Sequence, residues 1–408
     1  MTDTLTPPAA PKRGRGAGDA IRYWWGGLSR PAQWGIGVPV IIVLALIPLF
    51  PPPLLNTPGT SFGGVMAQFA MTALIAVGLN VVVGQTGLLD LGYVGFYAVG
   101  AYTVGLLTSP NSPWNATGSW LNDKWAWVIC VPLAIIFTAA TGLILGTPTL
   151  RLRGDYLAIV TLGFGEIVRL LADNLGDVTN GSLGLSRIAY PRVGVSSTHP
   201  NGYFSSGNLG DSNSWNLLDR ANSGVWWFWV GMILVVVVLL FVGNLERSRV
   251  GRAWVAIRED EDVAEMMGVP TFKFKLWAFM IGAGIGGMSG ALYAGQVQFI
   301  NPTGFNIINS MLFLCAVVIG GQGNKLGVIV GAFVIVYLPN RFMSVNLGGE
   351  SLGDYKYLFY GVTLVIVMIF RPQGLFPVRQ KLLTYGRKVF RAMHREPQVA
   401  VQTSGGPR

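Results

Sequence analysis

The chain has 408 residues, of which 51% are hydrophobic and only 12% charged, and its formal net charge at pH 7 is +10. A soluble protein would carry about 25% charged residues, so the composition excludes an ordinary soluble domain and indicates a membrane protein. The basic residues stand at the termini and between apolar runs, which fits the cytoplasmic excess of Lys and Arg in membrane proteins and argues against nucleic-acid binding. Two cysteines and two histidines provide neither a disulfide framework nor a zinc site, so we expect no metal and no cofactor.

Residues 1–30 are rich in Pro, Gly and Arg and are expected to form a disordered basic cytoplasmic tail. Residues 31–378 form the predicted membrane domain, and residues 379–408 a second basic cytoplasmic tail. About ten apolar runs follow one another in this domain, several of them shorter than the ~20 residues of a straight span. They lie at 34–50, 63–83, 88–107, 125–146, 156–172, 225–243, 276–294, 307–321, 326–338 and 357–370.

The distribution of Lys and Arg gives the orientation of these runs. If the N-terminus lies inside, the inner segments 147–155 and 244–275 carry several basic residues, whereas the outer segments 51–62 and 295–306 carry none. The sequence therefore predicts an all-α polytopic membrane protein of about ten transmembrane helices with both termini cytoplasmic. Eight or nine spans, with 88–107 or 307–338 partly re-entrant, remain the alternative.

The segment 173–224 is rich in Asn, Gly and Ser and falls outside in this orientation. It is too polar to form a core of its own. We expect an extracytoplasmic loop that either packs across the outer mouth of the protein or forms a flexible cover.

Residues 282–287 match the dinucleotide-binding pattern G-x-G-x-x-G, but they lie within an apolar run and no acidic residue follows at the required distance. Small residues at every fourth position instead predict a smooth face for close helix packing. Residues 320–325 lack the spacing of a phosphate-binding loop, so no nucleotide site is expected in this chain. The predicted packing residues are Gly282, Gly286, Gly290, Gly327 and Gly331.

Ionisable residues at membrane depth are candidates for function. Glu166 lies near the middle of its apolar run, and Arg169 stands three residues later on the same helix face. The pair either borders a watery pathway or fixes helix packing. Asp90 is the next candidate and lies at the start of the apolar run 88–107. We expect it to satisfy free N–H groups at a helix start rather than to contact substrate. Gln68 and Asn80 either line a pathway or bond a neighbouring helix.

The cytoplasmic segment 244–275 interrupts the hydrophobicity. Its apolar residues Trp254, Ile257, Val263, Met266 and Met267 recur at roughly helical spacing and predict two short amphipathic helices with an apolar face.

The ends of the second helix also have recognisable signals. Asp260 or Asp262 can cap its start, and Gly268 with Pro270 can stop it. A helix lying on anionic lipid would favour a basic polar face, whereas this one is acidic at Glu259 and Glu265 among others. We therefore expect a protein partner.

Five stretches carry a family resemblance. They include Leu-Gly-Tyr-Val-Gly-Phe from 91, Gly-Arg-Ala-Trp from 251, Ile-Gly-Gly-Gln-Gly from 319 and Arg-Pro-Gln-Gly-Leu-Phe from 371, with 150–169 as the fifth. In these stretches, which span roughly 65–378, the chain resembles the branched-chain amino acid permeases of ATP-binding cassette (ABC) importers, and among them the LivM-like subunits.

The resemblance implies the ABC importer permease fold and import of branched-chain amino acids by alternating access across the bacterial plasma membrane. It also implies a heterodimer with a second permease, two cytoplasmic ATPase subunits that hydrolyse ATP, and an extracytoplasmic substrate-binding protein; the chain itself is not an enzyme. The segment 251–268 resembles the loop that docks on the ATPase. The residues assigned to that loop are Gly251, Arg252, Trp254, Ile257, Arg258, Glu259, Asp260, Glu261, Ala264 and Gly268.

Three other functions compete with this interpretation. A urea or short-chain amide permease of the same importer class is the nearest. A secondary, ion-coupled transporter would need membrane-buried carboxylates and broken helices, for which Glu166 alone is thin support. A membrane enzyme is disfavoured because no cluster of catalytic residue types is visible.

Overall fold

Most of the apolar part of the chain is described in a computed structural model. The described residues are 35, 39, 42–52, 55, 57, 60–117, 121–122, 124–152, 154–195, 199–211, 216–342, 346–347, 350–351, 355–370 and 374–375. The expected tails 1–30 and 379–408 lie outside them, as do residues 34, 36–38 and 40–41 of the apolar run 34–50; residues 42–46 of that run are helical.

Helices dominate the described residues. In chain order they are α1 Phe62–Leu79, α2 Tyr93–Thr108, α3 Ala126–Thr149, α4 Asp155–Asn174, α5 Gly176–Thr179, α6 Leu217–Arg220, α7 Ser223–Arg247, α8 Arg249–Glu259, α9 Glu261–Met266, α10 Thr271–Val297, α11 Ile307–Gly320, α12 Lys325–Phe342 and α13 Lys356–Phe370. A π-helical stretch, Asn80–Gln85, continues α1 directly, and two 3₁₀ turns lie at Gly181–Leu183 and Pro302–Phe305.

The strands are two residues long and form two separate antiparallel pairs. Strand β1 (Leu185–Ser186) pairs with β2 (Phe299–Ile300), with Leu185 opposite Ile300. Strand β3 (Asn346–Leu347) pairs with β4 (Glu350–Ser351), with Asn346 opposite Ser351. These pairs connect neighbouring loops and do not form a sheet core.

Among the described residues, four helices are long and apolar enough to cross a membrane: residues 62–85, α3, α7 and α10. Helices α2 and α11 are apolar but shorter, with 16 and 14 residues. The predominantly helical membrane class predicted from composition is confirmed.

One predicted helix start is wrong. The apolar run 88–107 becomes helical only at Tyr93, and residues 88–92 are not helical. Gly87 turns the chain at φ +76°, and the Asp90 carboxylate accepts a hydrogen bond from Gly92 N at 2.9 Å. Such a local side-chain bond offers the backbone an alternative to the helix, so α2 begins later.

Helix α10 lies at the centre and packs against α1, α2 and α3. Its contact with α2 is made by backbone atoms on both sides. A Cβ atom at Gly290 would overlap the Tyr97 carbonyl and lie 2.7 Å from Ala101 N, and one at Gly100 would overlap the Gly287 carbonyl. The two helices therefore approach as closely as small residues permit.

The outer helices expose apolar rather than polar surface. Only 28% of the most apolar stretch of α3 is buried, compared with 89% for the helix 62–85. The exposed residues of α3 include Ile136, Phe137 and Ile144. A water-facing helix would be polar there, whereas such a face suits lipid.

The described residues of 173–224 pack against the helices. Leu185, Ile188 and Phe204 are buried. Ser109 Oγ donates to Ser186 O at 2.7 Å, and Trp227 Nε1 donates to Phe204 O at 3.1 Å. The described part of this segment therefore packs against the ends of α2 and α7.

The α2–α10 contact generates a stability prediction. Gly290→Ala should lower the free energy of unfolding by about 1–3 kcal/mol or more, because the new methyl group meets backbone that cannot rotate away. Gly361→Ala is the matched control, since a Cβ there meets nothing within 4 Å. Thermal unfolding in detergent should show a lower Tm for Gly290→Ala alone; equal Tm values would contradict the close contact.

Candidate functional site

Helix α8 begins at a side-chain cap and buries one face. Ser248 Oγ accepts from Val250 N at 3.1 Å, which satisfies a free N–H group of the first turn. Trp254 is fully buried and Ile257 nearly so. Trp254 Nε1 donates to Phe274 O at 2.7 Å, so α8 is attached to the first turn of α10.

Helix α9 follows after one extended residue. Asp260 ends α8, and its carboxylate caps α9 by accepting from Val263 N at 3.1 Å. Gly268, at φ +84°, ends the segment. Glu261 forms an ion pair with Lys275, whose side chain is 3% exposed. A buried ammonium requires a charged partner, so this pair holds α9 against α10.

The single apolar face expected across both helices is not present. Trp254 and Ile257 turn inward, whereas Val263, Met266 and Met267 are 49%, 78% and 80% exposed. Because Asp260 is extended, the helical periodicity of α8 does not continue into α9. The apolar residues of the two helices therefore face different directions. We call the exposed set Val263, Met266 and Met267 the apolar tip.

The other residues assigned to the docking loop also include buried and exposed members. Gly251 and Ala264 are buried and shape the segment, as Trp254 and Ile257 do. The exposed members are Arg252, Glu259, Asp260 and Gly268.

Arg258 connects α8 to the π-helical stretch 80–85. Its guanidinium donates to the Gly84 carbonyl, and a Cβ at Gly87 would lie 3.2 Å from Arg258 Cγ. Burial lowers the pKa of the Arg258 guanidinium, and the nearby Glu259 carboxylate opposes that shift. A half-buried cation on a backbone carbonyl is a charge-assisted hydrogen bond.

A second set of bonds joins three helix ends at this stretch. Glu246, in the last turn of α7, accepts from Gln85 Nε2 at 2.8 Å and from Lys325 Nζ at 2.9 Å. This cluster was not predicted from the sequence. The signal that could have indicated it is Glu246 itself, an acidic residue at the end of an apolar run beside basic residues.

One of the family-like stretches meets the π-helical stretch here, and a second one packs on the first. Asn80 Oδ1 accepts from Gly323 N at 2.8 Å. Leu375 N donates to Ile319 O at 2.8 Å, and a Cβ at Gly374 would overlap Gly321. Asn80 therefore bonds the loop between α11 and α12 rather than a neighbouring helix.

Asp90 and its neighbours are tied to two further helices. Leu91 N donates to Thr161 Oγ1 of α4 at 3.1 Å, and Ser310 Oγ of α11 donates to Leu91 O at 2.5 Å. Asp90 is 1% exposed and bonds Gly92 N. Its carboxylate thus serves the start of α2 rather than an open surface.

Glu166 and Arg169 form an ion pair on the surface of α4. Arg169 donates to Glu166 Oε1 from Nε at 2.9 Å and from Nη2 at 2.5 Å. Each charged group would cost about 2.5–3.5 kcal/mol at the centre of a bilayer facing lipid. Gln68 of α1 is also exposed.

The glycines predicted for packing lie at helix contacts. In the α10 group, a Cβ at Gly282 would lie 2.6 Å from Val82 Cγ2, and one at Gly286 would lie 3.2 Å from the Tyr93 ring. A Cβ at Gly331 would overlap the Ala316 carbonyl of α11, and the Gly327 carbonyl abuts Gly320. Among the described residues, no group of three or more His, Cys, Asp or Glu is placed to hold a metal ion.

The Arg258–Gly84 bond predicts a local change in dynamics. Arg258→Met should raise amide hydrogen exchange over residues 80–90 about tenfold, because a hydrogen bond to a charged group contributes ~1.5 kcal/mol or more. Arg252→Met is the matched control, since Arg252 donates to the Arg247 carbonyl beside it at the exposed surface. Unchanged exchange in both variants would show that the bond does not hold this stretch.

Comparison with known proteins places the chain in a family. A family model described as "Branched-chain amino acid transport system / permease component" matches residues 61–368. The high-affinity branched-chain amino acid transport system permease protein LivM of Escherichia coli is 40% identical over 314 residues, covering 76% of this chain and 68% of the relative. No solved structure matches the chain.

Two more distant relatives extend the match. The probable branched-chain amino acid transport permease protein LivM of Methanocaldococcus jannaschii is 24% identical over 343 residues, covering 77% of this chain and 92% of the relative. LivH of Escherichia coli, a permease protein of the same named system, is 23% identical over 303 residues, covering 74% and 90%. The chain, with its membrane-length helices, belongs to the family of branched-chain amino acid transport system permease components.

Proposed function

We propose that the chain is the transmembrane permease subunit of an ABC importer that moves branched-chain amino acids into the bacterial cell. The observation that carries the proposal is the apolar tip. Three large apolar side chains stand exposed beside Glu259 and Glu265 on a segment that is firmly bonded to the helix bundle. Exposed apolar surface of this kind marks a protein contact, and acidic neighbours disfavour anionic lipid.

The proposed partners follow from the family. LivM and LivH relatives both match this chain, which supports a heterodimer of two homologous permeases. Two cytoplasmic ATPase subunits would supply the ATP hydrolysis for which this chain has no nucleotide-binding motif, and an extracytoplasmic binding protein would deliver substrate. We place the apolar tip in the ATPase contact.

The proposed topology has ten spans with both termini in the cytoplasm of the bacterial inner membrane. The positive-inside pattern supports it, since the segment that carries α8 and α9 is rich in Arg and Lys. The segment 173–224 then lies on the side of the binding protein.

The bonds of α8 supply a mechanical connection. A displacement of the apolar tip would be transmitted through Arg258 to the Gly84 carbonyl, and through the Trp254–Phe274 and Glu261–Lys275 contacts to α10. In this proposal, closure of the ATPases moves the segment, and α1 and α10 open the pathway to one side at a time. π-helical turns are frequent where helices must adjust, which suits the stretch 80–85.

The docking role of the apolar tip predicts a loss of assembly. The double substitution of Met266 and Met267 to Asp should reduce co-purification of the ATPase subunits at least about fivefold, because charge replaces apolar contact area. Leu209→Asp is the matched control, since Leu209 is 86% exposed on the segment placed on the other side of the membrane. Full ATPase recovery with the double variant would refute the docking site.

Coupling should fail separately from docking. Arg258→Glu replaces the donor to the Gly84 carbonyl, and Gly268→Trp places a bulky residue at φ +84°, a conformation that costs roughly 1–2 kcal/mol for a residue with a Cβ. Both variants should insert into the membrane and lower transport-coupled ATP hydrolysis. Normal substrate-stimulated hydrolysis in both would contradict the proposed connection.

A further inference from the structure

An open cavity of about 430 Å³ lies between helix α8 and the chain that leads into α10. This volume is within the range of roughly 300–1,000 Å³ that small-molecule sites have. The lining residues used below are Arg249, Arg252 and Ala256 on one wall, and Val269, Pro270 and Phe274 on the other. The spacing of three and four residues places the first three on one face of α8.

The cavity carries positive charge. Arg249 and Arg252 are exposed, and no acidic side chain lines the cavity. Arg252 Nη1 donates to the Arg247 carbonyl at 3.1 Å, and a guanidinium has five N–H groups, so others remain for an acceptor in the cavity. In the part of the chain that the structure describes, neither lining arginine has a carboxylate within ion-pair distance. The acidic residues of α8 and α9 lie at 259–265, beside the apolar tip.

Two membrane-length helices, α7 and α10, end next to this cavity. The apolar run of α7 ends at Gly243, six residues before Arg249, and that of α10 begins at Leu276, two residues after Phe274. Six helical residues advance by about 9 Å. In the proposed topology the cavity therefore lies next to the headgroup layer of the cytoplasmic leaflet.

The start of α10 has the composition of a membrane interface. Phe272 and Trp277 are 40% and 39% exposed, and Lys273 Nζ lies 5.8 Å from the centroid of the Trp277 ring. Tryptophan is enriched where a membrane meets water, and lysine extends its ammonium group toward the headgroups there. The cavity thus combines two unpaired cations with a wall that adjoins lipid.

We propose that this cavity binds the headgroup of an anionic phospholipid from the cytoplasmic leaflet. The lipid phosphate accepts hydrogen bonds from Arg249 and Arg252, because a guanidinium presents paired N–H groups that match phosphate oxygens. The glycerol and the first acyl carbons lie against Val269, Pro270 and Phe274. The premise of this assignment is the proposed importer function, whose topology puts α8 and α9 in the cytoplasm.

A lipid fits this cavity better than an acidic segment of the ATPase does. None of the three residues of the apolar tip lines the cavity, whereas its wall reaches the first turn of α10 beside the apolar run. Free phosphate would use the arginines and leave the apolar wall uncovered. A bound headgroup contacts α8 and the start of α10 together, so it holds the joint through which the displacement of the apolar tip is proposed to pass.

The first test measures lipid capture by the complete importer in nanodiscs of phosphatidylcholine that contain a minor fraction of photoreactive phosphatidylglycerol. Irradiation should label residues 249–256 and 268–274, and photoreactive phosphatidylcholine should leave them unlabelled. Excess phosphatidylglycerol should remove the label, whereas inorganic phosphate should not. Equal labelling by both lipids, labelling confined to other residues, or displacement by inorganic phosphate would overturn the proposal.

Charge-removing variants test the two arginines. Arg249→Gln and Arg252→Gln should each lower the labelling about fivefold, which is the effect of one basic residue at an anionic membrane surface. Arg151→Gln is the matched control, since Arg151 is exposed in a segment on the same predicted side of the membrane and does not line the cavity. Labelling that is equal in all three variants would contradict the assignment.

A cavity-filling variant separates a built site from general attraction to charge. Ala256→Trp leaves the charge unchanged and should abolish the labelling of residues 268–274, with unchanged permease content in the nanodiscs. Val255→Trp is its control, because Val255 is 48% exposed on the same helix and does not line the cavity. Undiminished labelling of Ala256→Trp would show that the lipid lies outside the cavity and would refute the site.

Recovery of the ATPase subunits distinguishes a lipid from a protein occupant. In nanodiscs of phosphatidylcholine alone, Arg249→Gln should keep the ATPase subunits as the unmodified importer does. Their loss from this variant would show that an acidic segment of the ATPase occupies the cavity, and the proposal would fail. Lost lipid labelling with normal uptake of branched-chain amino acids would refute the lipid site alone, whereas absent uptake by the unmodified importer would refute the proposed function.

Discussion

The rest of the structure depends on the backbone contact between α2 and α10. Gly100 abuts the Gly287 carbonyl and Gly290 abuts the Tyr97 carbonyl, so each helix fixes the other without intervening side chains. Tyr93 Oη then donates to Gly282 O at 2.6 Å and sets the start of α2. Because that start is fixed, the non-helical residues 88–92 and the π-helical stretch before them have a defined place.

Several polar bonds converge on the π-helical stretch 80–85. Arg258, Gln85 with Glu246 and Lys325, and Asn80 with Gly323 all attach to the short stretch that ends α1. The partly exposed Glu246–Lys325 pair contributes little stability by itself. Together they join the ends of α7, α12 and α8 to one turn of helix. Their main effect is to fix the relative positions of these elements, and their contribution to the free energy of unfolding is secondary.

Apolar runs in the sequence predicted the four described helices of membrane length, because the bilayer requires a long apolar segment for each span. Local signals also worked at Asp260, since a cap is decided within three residues. The cluster at Glu246 was missed because its bonds join residues 161 and 79 positions apart in the chain. The division of the apolar pattern at Asp260 depends on a single extended residue, which periodicity does not reveal.

Glu261 and Trp254 bond to residues that come later in the chain, Lys275 and Phe274. During synthesis, the segment that carries the apolar tip therefore emerges from the ribosome before its anchoring partners emerge. It acquires its folded contacts only once the start of α10 has emerged. A truncated or stalled chain would expose its two methionines on an unanchored segment, so a completed membrane bundle is a condition for presenting an ordered surface to other subunits.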